Sequence, residues 1–162
     1  MGERRIGIIS DTHGRLPPEV LTHFDGVEMI LHAGDVGSLD VMLELETLAP
    51  VRAVRGNVDG FEFGHLPLRA VVEIPPIRVG MVHGHLHGGP SDRHLRLRQA
   101  FAADSVDMIL YGHTHRPRLD DTTRPWVANP GSASQGRGHG RSLAILRLGG
   151  DGRMAFDLIA LD

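Results

Sequence analysis

Five short apolar runs, Ile6 to Ile9, Met29 to Ala33, Val51 to Val54, Ile77 to Val82 and Val106 to Leu110, end in small polar clusters. The clusters read SDTHG, GDVG, GNVDG, HGHLHG and GHTH, each with glycine beside histidine, aspartate or asparagine. A run of four to six apolar residues bounded by such turn residues is the pattern of a buried strand. Between the runs lie helical patterns at about Pro17 to Phe24, Ser38 to Leu48 with Ser38 as N-cap, and Asp92 to Ala103. Strands alternating with helices predict an α/β layering, and every polar cluster then falls at a strand's carboxyl end, where open α/β sheets bind ligands.

From Val71 onward the turns IPPIR, DDTTRP and GGDGR join alternating segments such as Leu143 to Leu148 and Met154 to Ile159. These predict hairpins and a mixed sheet system. A chain of 162 residues suffices for one well-buried core, so a single domain spanning residues 1 to 162 is expected. With no cysteine, disulfides and thiolate metal sites are excluded, and a metal must be held by nitrogen and oxygen donors. No apolar stretch reaches the length of a membrane span and no signal-peptide pattern opens the chain, so a cytoplasmic protein with no membrane partner is expected. The net charge of -3 gives no nucleic-acid footprint, and two divalent cations would bring it to about +1, which favours anionic substrates.

Any one cluster is explained by turn chemistry alone. Turn chemistry does not explain a histidine, carboxylate or carboxamide in all five. Asp11, His13, Asp35, Asn57, His83, His113 and His115 together offer seven donors, too many for one ion with open positions and enough for two ions sharing a carboxylate. Asp35 is the expected bridge. Extended backbone places residues i and i+2 on one side, so Asp11 with His13, and His113 with His115, are each expected to face one site from a strand end.

The order D-x-H, G-D, G-N, H, G-H-x-H, carried by ISDTHG, LHAGD, RGNVDG, VHGH, YGHTHRP and NPGS, resembles the calcineurin-like metallophosphoesterases, in particular their small YfcE-type phosphodiesterase branch. The resemblance runs from about Arg5 to Leu148. It implies a mixed α/β fold, a four-layer αββα sandwich of the metallo-dependent phosphatase type. It also implies Asp11, His13, Asp35 and His115 around one metal and Asp35, Asn57, His83 and His113 around the other. Two divalent transition-metal ions follow, with Mn²⁺ favoured and Fe²⁺, Zn²⁺, Co²⁺ or Ni²⁺ also suited to the donors. The implied reaction is hydrolysis of a phosphodiester by in-line attack of a metal-bridging hydroxide, with Asn57 also donating to a phosphate oxygen.

Many members of the family carry a histidine after the G-N pair that protonates the leaving oxygen; here Val58 stands there. Its absence removes a contribution of about 10² to 10⁴-fold for poor leaving groups, which favours activated diesters over alkyl monoesters. The resemblance sets His85 near the bound phosphate, as a candidate for the missing donor. His32 and His87 read as packing or loop residues, Asp59 as a loop brace, and Arg93, Arg96 and Arg98 as a solvated helix face. Arg55 is a candidate substrate contact. Expected partners are a small phosphate-ester substrate and, by resemblance, a second copy of the chain, with nucleic acid disfavoured. The rivals are a non-catalytic protein-interaction scaffold of the same fold and a nuclease.

Overall fold

The structure, a computed structural model, describes residues 2–162. Two five-stranded sheets stack face to face. The first has the order β10-β9-β1-β2-β3, from β1 (Arg4–Ile9), β2 (Met29–His32), β3 (Val51–Ala53), β9 (Ser142–Leu148) and β10 (Met154–Ala160). The second has the order β4-β5-β6-β8-β7, from β4 (Arg69–Ile74), β5 (Ile77–Val82), β6 (Met108–Leu110), β7 (Arg118–Asp120) and β8 (Trp126–Asn129). β1, β2 and β3 run parallel in one sheet, and β5, β6 and β8 run parallel in the other. Antiparallel hairpins form three of the four edges, β9 with β10, β4 with β5, and β7 with β8, and β3 forms the fourth beside parallel β2.

Side-chain alternation along the strands divides the apolar residues among three layers of core. Ile6, Ile8, Leu31 and Leu146 face Val79, Met81, Met108 and Leu110 between the sheets. On the far side of the first sheet, Ile9, Ile30 and Ile145 pack on Val20 and Phe24 around α1 (Pro18–His23) and on Val41 and Leu45 of α2 (Leu39–Glu46). On the far side of the second, Ile109 and Val127 meet Leu97 and Phe101 at α3 (Arg93–Ala100). This is the expected αββα order.

Local chemistry sets the helix ends. Pro18 opens α1, where a missing N–H costs nothing, and Ser38 Oγ accepts from Asp40 N at 3.2 Å to cap α2. Each helix is shorter at both ends than the sequence pattern suggested, and β6 begins at Met108 rather than Val106. Asp107 explains the latter, because its side chain accepts from Arg78 N at 2.9 Å and anchors the approach to the strand. Among the described residues no helix is long and apolar enough to cross a membrane.

The feature that matters for the site is direction. The loops after β1, β2 and β3 leave one edge of the first sheet, and those after β5, β6 and β8 leave the adjoining edge of the second. Hydrogen bonds carry the ladders past the last strand residues: Asp11 N donates to Gly34 O at 2.9 Å, His13 N to Asp35 O at 3.0 Å, and Gly112 N to His83 O at 2.9 Å.

Candidate metal centre

The backbone of this edge differs from the extended form expected of it. Asp11, His13, Asp35, His113 and His115 have φ of 54°, 48°, 55°, 70° and 61°, in the left-handed region. The side chains therefore meet because tight left-handed turns aim them inward, and the strand alternation inferred from the i, i+2 spacing does not operate beyond Ile9 or Leu110. Non-glycine residues in this region carry on the order of 1 kcal/mol or more of strain each, and such strain gathers at functional sites.

Asp11 and Asp35 share a design. Asp11 Oδ2 accepts from Ser10 Oγ at 2.6 Å and from His113 N at 3.0 Å. Its Oδ1 is buried without a hydrogen-bond partner and faces His115 Nε2 at 3.3 Å, His13 Nε2 at 3.7 Å and His83 Nε2 at 3.8 Å. Asp35 Oδ1 accepts from Val58 N at 3.0 Å, while Oδ2 lies 3.1 Å from His83 Nε2 and 3.8 Å from His13 Nε2. One oxygen of each carboxylate is thus fixed to the protein and the other is presented to imidazole nitrogens.

The histidines are turned in the same sense. His83 Nδ1 donates to Ala33 O at 2.8 Å and His115 Nδ1 donates to Gln135 O. These bonds fix the proton on Nδ1 and leave Nε2 to face the carboxylates, the arrangement in which a neutral imidazole binds a cation. Two groups of donors lie mutually within 4.8 Å, Asp11 with His13 and His115, and Asp11 with Asp35 and His83. His113 stands beside the second group, its ring centroid 5.4 Å from that of His83. Asn57 is exposed on the turn whose next residue, Val58, holds Asp35.

The electrostatics state a demand for positive charge. Burial pushes the Asp11 pKa up, yet the close His115 and His13 rings and the charge of His83 outweigh it and hold the carboxyl far below the usual range. Burial also opposes ionisation of Asp35, and His83 again reverses the balance. For His83 burial disfavours the charged ring, but the Asp35 hydrogen bond and the charges of Asp11 and Asp35 raise its pKa. Two buried carboxylates, one of them with an unpartnered oxygen, faced by imidazole nitrogens and without a thiolate, fit a divalent transition metal.

Two glycines explain why the loops can close this tightly. A Cβ at Gly112 would lie 2.1 Å from Ser10 Oγ and 2.5 Å from Asp11 Oδ2, and one at Gly56 would lie 2.1 Å from Asp35 Oδ1. Both glycines directly precede residues expected to bind metal, His113 and Asn57.

The NPGS segment, one of the motifs that carry the resemblance, braces the site through partners that the sequence does not name. Ser132 Oγ donates to Asp11 O at 2.7 Å, and Ser134 Oγ to Thr12 O at 2.7 Å. Asn129 Nδ2 donates to Gly112 O and to Thr114 Oγ1, each at 3.0 Å, so the NPGS segment ties the Asp11 loop to the His113 loop. Asp59 accepts from Gly37 N at 3.0 Å and Gly56 N at 2.8 Å, the loop brace expected of it. His32 is fully buried: its Nδ1 accepts from Gly34 N at 3.1 Å, and its Nε2 donates at 3.0 Å to Thr12 Oγ1, which donates to Val36 O at 2.8 Å.

His85 lies 5.5 Å from His83 and 6.3 Å from His113, centroid to centroid, and its Nδ1 is buried without a partner. Burial and the charge of His83 lower its pKa, so it is neutral near pH 7. Val58 is 53% exposed beside Asp35. The helix face read as solvated is more engaged than expected: Arg96 pairs with Asp92, Arg98 reaches Asp120 at 3.2 Å, and Arg93 donates to Gly88 O at 2.8 Å. Leu95, Arg96 and Gln99 remain exposed on this helix, so its solvated part is narrower than the sequence suggested but present. Arg55 is only partly buried, its N–H committed to Pro67 O.

The Calcineurin-like phosphoesterase superfamily domain matches residues 5–151. A probable metallophosphoesterase of Methanothermobacter thermautotrophicus is 38% identical over 151 residues, covering 90% of this chain and 87% of that protein. A phosphodiesterase of Methanocaldococcus jannaschii is 32% identical over 145 residues, covering 78% and 82%. The crystal structure of a Vps29 variant from Entamoeba histolytica superposes with a TM-score of 0.79 over 98% of this chain and 99% of that one, at 22% identity, a likeness of fold alone. Strand-end loops, donor chemistry and sequence kinship lead to one assignment: this chain belongs to the calcineurin-like phosphoesterase superfamily.

Proposed function

We propose that the protein is a dinuclear metal-dependent phosphodiesterase. The observation that supports this reading best is the matched pair of carboxylates, each with one anchored oxygen and one directed at inward-turned imidazoles. Asp11, His13, Asp35 and His115 would hold one ion, and Asp35, Asn57, His83 and His113 the other, with Mn²⁺ favoured. When bound, such ions supply a water acidic enough to ionise near neutral pH and positive charge for the phosphoryl oxygens.

The chain's own residues supply position. The Ala33 and Gln135 carbonyls hold His83 and His115 in the ligating tautomer, so little side-chain freedom is lost on loading. Asn57, on the open rim of the site, can offer its amide N–H to a non-bridging phosphate oxygen. His85, neutral near pH 7, can present its one ring N–H as a hydrogen-bond donor to the leaving oxygen from beside His83 and His113, stabilising the departing anion without transferring the proton. Val58 has no proton to give, which favours diesters whose leaving group departs as a stabilised anion. The diesterase named in M. jannaschii supports the same substrate class.

The test is hydrolysis of bis(p-nitrophenyl) phosphate by Mn²⁺-loaded protein, with chelator and with Asp35→Asn as controls. Both controls should lower kcat by at least about 10³-fold, as expected when metal-assisted chemistry is removed. Turnover indifferent to chelator and to Asp35→Asn would overturn the reading in favour of a scaffold. Faster cleavage of alkyl phosphate monoesters than of the aryl diester would overturn the diester preference.

A further inference from the structure

Beside the metal centre lies a second concavity of about 220 Å³, lined by Arg93, His94, Tyr111, Arg116, Arg118 and His139, among others. Thr114, between His113 and His115 in sequence, also faces it, so the two sites share one loop. No carboxylate lines the wall. Other arginines pair with acids, among them Arg98 with Asp120, Arg124 with Asp107 and Arg147 with Asp157, and those that do not, Arg5, Arg15, Arg52, Arg55 and Arg137, line no part of this cavity. Among the described residues, Arg93, Arg116 and Arg118 have no carboxylate partner. Arg93 instead spends its donors on Gly84 O and Gly88 O, which fixes it against the loop that bears His85 and His87.

Three guanidinium groups gathered on one small wall repel one another, and an anion between them removes that cost while gaining charge-assisted, geometrically matched hydrogen bonds. The floor is prepared as well: His94 Nε2 and Tyr111 Oη are hydrogen-bonded at 2.7 Å, so a fixed polar surface backs the cationic rim. Size limits what enters. Pockets for entire small ligands hold roughly 300–1,000 Å³, so a cavity below that range reads one group of a larger molecule.

We infer that this cavity is an anion subsite that receives a second phosphate of the substrate, so that the preferred substrate is a phosphodiester carrying an additional terminal phosphate. This rests on the phosphodiesterase reading for the first phosphoryl group. The subsite itself needs no metal, because its charge comes from the protein.

Its test begins with inorganic pyrophosphate titrated calorimetrically into metal-free protein, where no metal ion can capture the anion and the arginine wall remains. The wild type should bind saturably, with affinity falling as salt rises, and Arg116→Gln/Arg118→Gln should weaken binding by at least about tenfold. Both side chains are exposed, and an unchanged circular dichroism spectrum and Mn²⁺ affinity would show that the variant is folded with its centre intact. In kinetics with Mn²⁺, the variant should raise KM for a thymidine 5′-(p-nitrophenyl phosphate) bearing a 3′-phosphate by at least about tenfold. Its kcat/KM for bis(p-nitrophenyl) phosphate should stay within about twofold of the wild type, since that ester has no second anion. Absence of saturable pyrophosphate binding, or equal binding by the double variant, would overturn the subsite. If pyrophosphate binds as expected and no ester is hydrolysed, the subsite stands and the catalytic reading fails.

Discussion

His32 sits under the metal-centre loops, with no solvent exposure and both ring nitrogens committed. Because Nδ1 accepts from Gly34 N, the ring can take a second proton only by breaking that bond. Burial accordingly pushes its pKa down to about 4, although the charges of Asp11 and Asp59 pull the other way. In the unfolded chain the ring titrates near 6.5. A depressed folded value means that stability is fully present above the unfolded value and declines as the pH falls toward the folded one. At 1.36 kcal/mol per pH unit, the decline between pH 7 and pH 5 should be about 2 kcal/mol from this residue alone. The assay is urea unfolding of chelator-treated protein at both pH values, for the wild type and for His32→Asn. Asparagine keeps an acceptor for Gly34 N and does not titrate. The variant starts less stable, so the readout is the change with pH: the wild type should lose about 2 kcal/mol more than the variant over this interval. The other titrating groups of the centre are common to both proteins and cancel. Parallel losses, within about 0.5 kcal/mol, would refute the claim that a neutral His32 holds these turns.

The backbone of the centre gives a comparative test: at His13, with φ of 48°, a glycine variant of the metal-free protein should be more stable than an alanine variant by about 1 kcal/mol, measured by denaturant unfolding. Gly112→Ala, whose Cβ would collide with Ser10 and Asp11, should weaken Mn²⁺ binding at least tenfold by calorimetry while Gly150→Ala, in open space, leaves it unchanged. In the second sheet a Cβ at Gly80 would come within 2.7 Å of the Phe101 ring, so Gly80→Ala should cost about 1–3 kcal/mol, and combining it with Phe101→Leu should cost less than the two changes added.

The strands were legible because their apolar runs are short and sharply ended, and β5 falls where its residues place it, Ile77–Val82. The gathering of polar clusters at one edge was legible for the same reason, since parallel strands all deliver their exits to one side. What stayed hidden is what a periodic pattern does not encode. Nothing in D-T-H or H-T-H announces a left-handed backbone, and the i, i+2 argument put Asp11 beside His13 for a reason that the turns do not obey. The NPGS motif marked its segment but not what Ser132 and Asn129 hold, because their partners, Asp11 and Gly112, lie far away in sequence and only the sheet topology makes them neighbours. The arginine wall was invisible on similar grounds: Arg93 lies on a helix face that looks solvated in isolation, while Arg116 and Arg118 come from a loop and a strand beyond it.

Asp35, the carboxylate assigned to both halves of the centre, faces His83 at 3.1 Å and His13 at 3.8 Å through a single oxygen. That oxygen has one allotment of negative charge to give. On the proposed two-ion reading, whatever draws on it from the His13 side leaves less for the His83 side, so filling the two halves cannot be a pair of independent events. A titration curve for metal uptake should therefore spread over a wider concentration range than two equal sites would give, with the later equivalent held more weakly and exchanged first.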